Sequence, residues 1–473
     1  MQRSEVLFKN IQQVRDSIYE EFSPNHFLHF SKPTPENLAK YQILDANTLK
    51  FLCKIFLKFT SSLVNLVFGY IYYFPEIFSR GFKIDKNSSV YVSHLTNNFA
   101  SNFYDPFYGS ALQNPRNFEH RFLLLLNGTR LNSILLKKKL PFSFPKSNIK
   151  IVAKNPSLIT LVRHFFGVCR NSKKYIQLFR DAKTSYARRI VILAVLGEFE
   201  RPTISNIAIT ETLESLIGNT TIKSVYTTFE GQLFEEKILE IANRNSRTRF
   251  NFYQHAPIVK TQYSLLNSLS AMTSNCRVLC SGQITFDYFE STRINSNKLF
   301  LKAGSAKHRT LIEEKRILGN RILLVPEGTR QASLELFNLG ISLANFFSDK
   351  NFIIRLHPAF ATNLDLKSLK IPDNLTISRN VLISDLNQSN ICIFRTSAVG
   401  IEAGAYGLVP IYYSEGCEDL NPLSLFHKST LKFTDTLSLK TGLADIVDTL
   451  QLDASLVKEF DSYFTKQDLT VFD

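Results

Sequence analysis

Three short runs in the C-terminal part of the chain combine residue types suited to holding an anion. Glu327-Gly328-Thr329-Arg330 carries a glycine that lets the backbone approach a ligand closely. Arg355-Leu356-His357-Pro358 sets a guanidinium and an imidazole at the end of an apolar run. Arg395-Thr396-Ser397-Ala398-Val399-Gly400 leads into a helical pattern that contains Glu402. A Thr-Ser pair at a helix start offers hydroxyls and free backbone N–H groups, and the helix dipole favours negative charge there. Plain N-capping accounts for the pair taken alone; three such runs in sequence, each with Arg or His close by, point to a phosphate group. Earlier in the chain, Tyr226-Thr227-Thr228-Phe229-Glu230-Gly231 and Tyr253-Gln254-His255-Ala256-Pro257 end two further apolar runs. Glu230 suits a general base for a hydroxyl, and a helix-start charge held by the dipole is its bland alternative. His255 is a second candidate; His94 and Asp105 are rivals for the base.

Those runs need elements to position them. After Asp85-Lys86-Asn87 the texture becomes short apolar strands alternating with helical stretches. Strands are expected at Val90–Leu95, Phe122–Leu126, Ile149–Ala153, Ile222–Tyr226, Phe250–Tyr253, Arg277–Cys280 and Lys298–Leu301. Helices are expected near Pro106–Leu112, Gln232–Ala242 and Ile284–Phe289. The Gly-, Ser- and charge-bearing stretch Ala303–Asn320 reads as a linker. A second series follows, with strands at Arg321–Pro326, Phe352–Leu356, Ile391–Phe394 and Leu408–Tyr412. Its helices are Ser333–Phe347, Ala398–Tyr406 and a pair near the end. Such alternation argues for parallel sheets covered on both faces. The expectation is an α/β chain of two Rossmann-like domains facing a cleft, 88–302 and 303–473, behind a helical N-terminal region, 1–87. Ligands of such sheets sit beyond the carboxyl ends of the strands.

The chain of 473 residues, 44% hydrophobic and 21% charged, has the composition of a globular protein of two or three domains. Its net charge of +15 is uneven. Between Lys137–Lys139 and Arg188-Arg189, Asp181 is the only acid. A solvated basic face explains this as readily as attraction to anionic lipid. Residues 59–75 carry no charge, with Lys50, Lys54 and Lys58 at helical spacing just before them. The run falls short of a spanning helix but suits either a buried helix or an interfacial one. A possible anionic membrane contact therefore involves residues 48–75 and 137–189. The cysteines are scattered without a CxxC pair, and the start lacks a secretion signal, so a cytoplasmic chain, peripheral on the inner membrane, is expected. No aspartates are spaced Asp-x-Asp, and no metal is expected. Nothing repeats as a nucleic-acid stacking platform, and no nucleic acid is expected as partner.

The order Arg355-Leu-His-Pro358, Arg395-Thr-Ser-Ala398, then Glu402-Ala-Gly-Ala-Tyr-Gly-Leu-Val-Pro410-Ile411 resembles the donor half of GT-B glycosyltransferases. More narrowly, it is similar to bacterial surface-carbohydrate (capsule and lipopolysaccharide) enzymes that use CMP-activated sialic-acid-like or Kdo sugars, and to CDP-glycerol transferases. The Tyr226–Gly231 and Tyr253–Pro257 turns resemble the same enzymes more loosely. The resemblance implies a nucleotide-activated sugar as co-substrate, with no further cofactor, and a glycan or lipid-linked acceptor. It assigns His357 and Pro358 to the nucleotide and Thr396 and Ser397 to its phosphate. It places Glu402 near ribose, and leaves Glu327, Gly328, Thr329, Arg355 and Arg395 around the donor. Glu230, His255 and His94 are the candidate catalytic residues. A CDP-glycerol-type glycerophosphotransferase and a non-catalytic nucleotide-sugar-binding assembly protein are the alternatives.

Overall fold

The computed structural model describes residues 9, 11–17, 84, 86–94, 105, 107–113, 121–128, 148–153, 158–198, 201–218, 222–259, 262–292, 299–308, 320–326, 330–356, 370–414, 420–426, 431–447 and 452–472. The uncharged run 59–75, and with it the whole of 48–75, lies outside them, as do residues 137–147 of the basic span. Before residue 84 the description is of a helical stretch at 11–17, where Ile11 and Val14 are buried.

Among the described residues, thirteen strands form two wholly parallel sheets. The first contains β1 (Ser89–His94), β2 (Arg121–Gly128), β3 (Ile149–Ala153), β4 (Ser224–Thr228), β5 (Arg249–Gln254), β6 (Cys276–Cys280) and β7 (Leu299–Lys302). Their order in space is β3-β2-β1-β4-β5-β6-β7. The second contains β8 (Arg321–Val325), β9 (Phe352–Arg355), β10 (Leu375–Ser378), β11 (Ser389–Phe394), β12 (Val409–Tyr413) and β13 (Leu431–Phe433). Their order is β10-β9-β8-β11-β12-β13. Each half thus starts in the middle, runs to one edge, returns to the middle and runs to the other edge. This is the Rossmann order, and the reversal opens a crevice between β1 and β4 in one half and between β8 and β11 in the other.

Alternation along the strands explains why both faces of each sheet are covered. Val90, Val92, Phe122, Leu124 and Leu126 point into one core, with Ile238, Leu265 and Leu269 from helices. Tyr91, Leu123 and Leu125 point into the other, against Tyr108 and Phe472. The second half repeats the pattern, with Ile322, Leu324 and Ile354 on one face and Leu323, Val325 and Ile353 on the other. Eleven strands expected from the sequence are present, with ends that differ by a residue or two. The two unforeseen ones, β10 and β13, are short edge strands in which only Leu375 is buried, so they carry no continuous apolar run. Also unforeseen are three successive helices between β3 and β4, Leu158–Asp181, Ser185–Gly197 and Arg201–Leu213. Among the described residues, no helix is long and apolar enough to cross a membrane.

Residues 462–472 leave the second half and return to the first. The Ser305 N–H donates to the Thr465 carbonyl (2.8 Å) and the Asp468 N–H to the Ala303 carbonyl (2.9 Å). Gly304 has φ +68°, and an added Cβ would lie 2.1 Å from the Lys466 carbonyl oxygen, so glycine is what permits this approach. Phe472 is buried beside Tyr108, Tyr226 and Tyr253, and the Tyr91 hydroxyl donates to its carbonyl. Fully buried Tyr463 accepts a hydrogen bond from the Ile258 N–H at 2.7 Å. Tyr463→Phe leaves that buried donor without its partner and is expected to cost about 1–3 kcal/mol in denaturant unfolding. Unchanged stability would mean that this bond contributes nothing to holding the return segment.

Candidate functional site

The parallel register brings the carboxyl ends of β1, β4 and β5 side by side: Tyr91 pairs with Tyr226, and Thr228 with Tyr253. His94 ends β1, Glu230 follows β4, and His255 follows β5, so the three candidate catalytic residues share the edge at the crevice of the first half. They are linked there. His255 Nε2 lies 2.9 Å from Glu230 Oε1. The ring of Phe107 stands edge-on to His255 at 4.6 Å between centroids and contacts His94 at 5.8 Å. Phe234 stands edge-on to His94 at 5.2 Å.

The Glu230 turn is fixed from below by a residue that the sequence did not single out. Glu235 is buried, and its carboxylate accepts the backbone N–H groups of Glu230 and Gln232, both at 2.8 Å, and the Thr228 hydroxyl. It occupies the third position of the helix Leu233–Arg244, where such a carboxylate satisfies otherwise orphaned donors. The signal available in the sequence was Gln232-x-x-Glu235 just before an apolar run. Gly231 completes the turn at φ +78°, and a Cβ there would lie 2.3 Å from Ser264 Oγ.

Above this base, the two Glu230 oxygens have different partners. Oε1 faces His255, and Oε2 accepts from the Gln232 amide at 3.0 Å. The Glu230 side chain keeps 18% exposure against 6% for His255, so solvent reaches the pair chiefly through the carboxylate. If His255 carries its proton on Nε2 toward Glu230, its Nδ1 retains a lone pair. Nδ1 is buried with no hydrogen-bond partner among the described residues. Asp105 lies nearby, buried and held by the Ser93 hydroxyl and by the Phe107 and Tyr108 N–H groups at 2.8 and 2.9 Å. Burial raises the Asp105 pKa, while these hydrogen bonds and the nearby His255 oppose the rise. Asp105 is thus walled into the structure, whereas Glu230 faces outward.

In the second half, Val325 pairs with Phe394, so the residues following β8 and β11 flank the other crevice. Arg395 follows β11, is buried, and donates to Glu335 on the helix Arg330–Phe346. Thr396 and Ser397 are half-buried; Ser397 Oγ accepts the Val399 N–H at 3.3 Å, an N-cap-like contact to the helix Val399–Ala405. Glu402 lies buried within that helix. Arg355, at the end of β9, pairs at 2.8 Å with the fully buried Asp385, which also accepts the Ser378 hydroxyl. Its guanidinium therefore ties strand ends together inside the domain. Glu327, Gly328, Thr329, His357 and Pro358 lie outside the described residues. Among the described residues, no group of three or more His, Cys, Asp or Glu side chains is placed to hold a metal ion.

No family model matches the chain, and no curated protein matches it in sequence. Similar solved structures include the glycotransferase of kitacinnamycin, 9% identical over 80% of this chain and 94% of that one, with a TM-score of 0.40. The Methanocaldococcus jannaschii UDP-GlcNAc 2-epimerase, in complex with UDP-GlcNAc and UDP, is 12% identical over 79% of this chain and 97% of its own, with a TM-score of 0.43. The calicheamicin glycosyltransferase CalG4 is 14% identical over 80% of this chain and 92% of its own, with a TM-score of 0.40. These are likenesses of general plan. The two sheet orders themselves define the fold, a pair of Rossmann-like halves.

Burial, reinforced by the Glu230 charge, pushes the Glu235 carboxyl up from 4.5 to about 7. A carboxyl raised in the folded state contributes stability that is complete below about pH 4.5 and is lost as pH rises through about 7. Glu235→Gln keeps an acceptor for the two N–H groups but cannot ionise. Urea unfolding from pH 4.5 to 8 is expected to show the variant gaining on the parent by up to about 3 kcal/mol. Parallel curves across that window would remove the burial argument.

Proposed function

We propose that this chain is a nucleotide-sugar-dependent glycosyltransferase in which Glu230 takes the proton from an acceptor hydroxyl. The observation that supports the reading most is the Glu230–His255 pair, 2.9 Å apart at the crevice of the first half, with the carboxylate as its more exposed member. A sugar hydroxyl is too weak an acid to attack unaided, and a positioned carboxylate removes its proton as the new bond forms. His255, hydrogen-bonded to that carboxylate, orients it and stabilises its charge between turnovers. The acceptor oxygen bonds to the anomeric carbon, the bond from that carbon to the donor phosphate breaks, and the nucleotide leaves with the electron pair. The departing negative charge is met by hydroxyls and N–H groups at Thr396-Ser397, by the Arg395 charge, and by His357. Glu327, Gly328, Thr329, Pro358 and Glu402 complete the donor site in this reading, with Arg355 holding its strand ends in place. Transfer in this scheme needs no metal.

The donor we propose is a CMP-activated nonulosonic acid or Kdo, in the synthesis of a bacterial surface polysaccharide on a glycan or lipid-linked acceptor. This rests on the resemblance of the Arg355–Pro358, Arg395–Ala398 and Glu402–Ile411 runs to enzymes of that kind.

Thermal-shift measurements with CMP, CDP, UDP and GDP test the donor. A nucleotide that binds only the folded chain stabilises it by roughly 2.7 kcal/mol at a hundredfold excess over Kd. CMP is expected to give the largest shift, and His357→Ala and Ser397→Ala to diminish it. A shift with UDP alone reassigns the donor, and no shift with any nucleotide overturns the reading. Glu230→Gln is expected to lower kcat by about 10²–10⁴-fold while leaving the nucleotide shift intact. A phosphodiester in place of a glycosidic product would make the enzyme a glycerophosphotransferase.

A further inference from the structure

The helix Leu158–Asp181 belongs to the three-helix insertion between β3 and β4, and nothing in the proposed chemistry uses it. It packs on the helices Ser185–Gly197 and Arg201–Leu213, which places it in an outer layer of the first half. Its inner face is anchored by polar contacts. Thr160 donates to Glu211 at 2.6 Å, His164 Nε2 lies 2.9 Å from the Glu198 carbonyl oxygen, and the buried Tyr175 hydroxyl donates to the Glu198 carboxylate. These contacts determine which side turns outward.

The outward side is apolar at one end and basic at the other. Ile159 is 65% exposed, Val162 46% and Phe166 65%, and their spacing of three and four residues puts them on one face. Such large apolar side chains gathered at a surface mark a contact site. Ile176, 52% exposed, continues the stripe one end further. Exposed Arg163, Arg170, Lys173, Lys174 and Arg180 run beside and beyond it, and Asp181 is the helix's only acid.

We propose that this face docks on an anionic lipid bilayer, with Ile159, Val162 and Phe166 entering the headgroup boundary and the basic residues lying against lipid phosphates. An amphipathic helix with bulky apolar residues on one side and Lys or Arg around them lies in the plane of such an interface. Charge complementarity argues for this occupant. A partner protein or a second copy matching Ile159, Val162 and Phe166 would gain nothing from so one-signed a surround without an acidic patch, and the chain as a whole carries a charge of +15. A nucleic acid would leave the aliphatic stripe in water.

The chain contains no tryptophan, so Phe166→Trp in the full chain supplies a single reporter on this face. With vesicles of phosphatidylcholine containing 30% phosphatidylserine, its emission is expected to shift to the blue, and the protein to co-sediment. Pure phosphatidylcholine vesicles are expected to give neither result, and raising the salt to reverse both. Lys173→Ser with Lys174→Ser is expected to weaken binding to the anionic vesicles roughly 30-fold, and Ile159→Ser with Phe166→Ser to abolish it. All of these positions are at the surface, so an unchanged melting temperature shows that each variant is folded. Equal binding to both vesicle types overturns the proposal, as does binding that survives the substitutions. So does a blue shift that depends on protein concentration without lipid, which would assign the face to a second copy.

Discussion

The handedness of the chain's crossovers governs everything else in this molecule. A strand, a crossover and a parallel strand in one sheet connect in a right-handed sense, because only then does the connecting segment pack back onto the twisted sheet. To cover both faces, a parallel sheet has to start in the middle and reverse once. Both halves obey, and each reversal leaves two neighbouring strands whose following loops diverge to opposite faces. The position of Glu230 beside His94, and of Arg395 beside the end of β8, follows from that geometry before any side-chain chemistry is considered.

Charge is then distributed by depth. Inside the first half, Glu235 and Asp105 spend their carboxylates on backbone N–H groups and hydroxyls, which stiffens the loops that follow β4 and β1. The carboxylate left nearest the solvent, Glu230, is paired with an imidazole rather than a cation of fixed charge. In the second half the pattern is of guanidinium anchors, Arg355 on buried Asp385 and Arg395 on Glu335. One half therefore presents a carboxylate–imidazole pair at its crevice, and the other presents held positive charge.

The central strands were legible in the sequence because burial on both faces demands unbroken apolar runs such as Ile322–Val325 and Ile391–Phe394. The edge strands β10 and β13 were not, since a strand covered on one side needs no such run. The loops bearing Glu230, His255 and His94 were visible as polar turns ending apolar segments, but their convergence depends on strand order, which no local pattern encodes. Glu235 was hidden for a different reason: a glutamate in the first turn of a helix is ordinary, and only its burial reveals that it braces the turn before it. Of the helices between β3 and β4, Leu158–Asp181 was obscured by its many basic residues, several of which are exposed beside Ile159, Val162 and Phe166.

The return of residues 462–472 also bears on how the chain reaches this structure. The Tyr91 hydroxyl bonds to a carbonyl 381 residues further along, and the aromatic cluster of Tyr91, Tyr108, Tyr226 and Tyr253 is closed by Phe472. During synthesis, at roughly 5–20 residues per second, the first sheet emerges well before that residue and has to wait with one tyrosine-rich face uncovered. Such long-range closure is slow to search for, because the loop entropy is lost before the contact forms. The first half of this chain thus cannot complete itself as an independent unit on the ribosome; its last piece of core arrives only after the second half has been made.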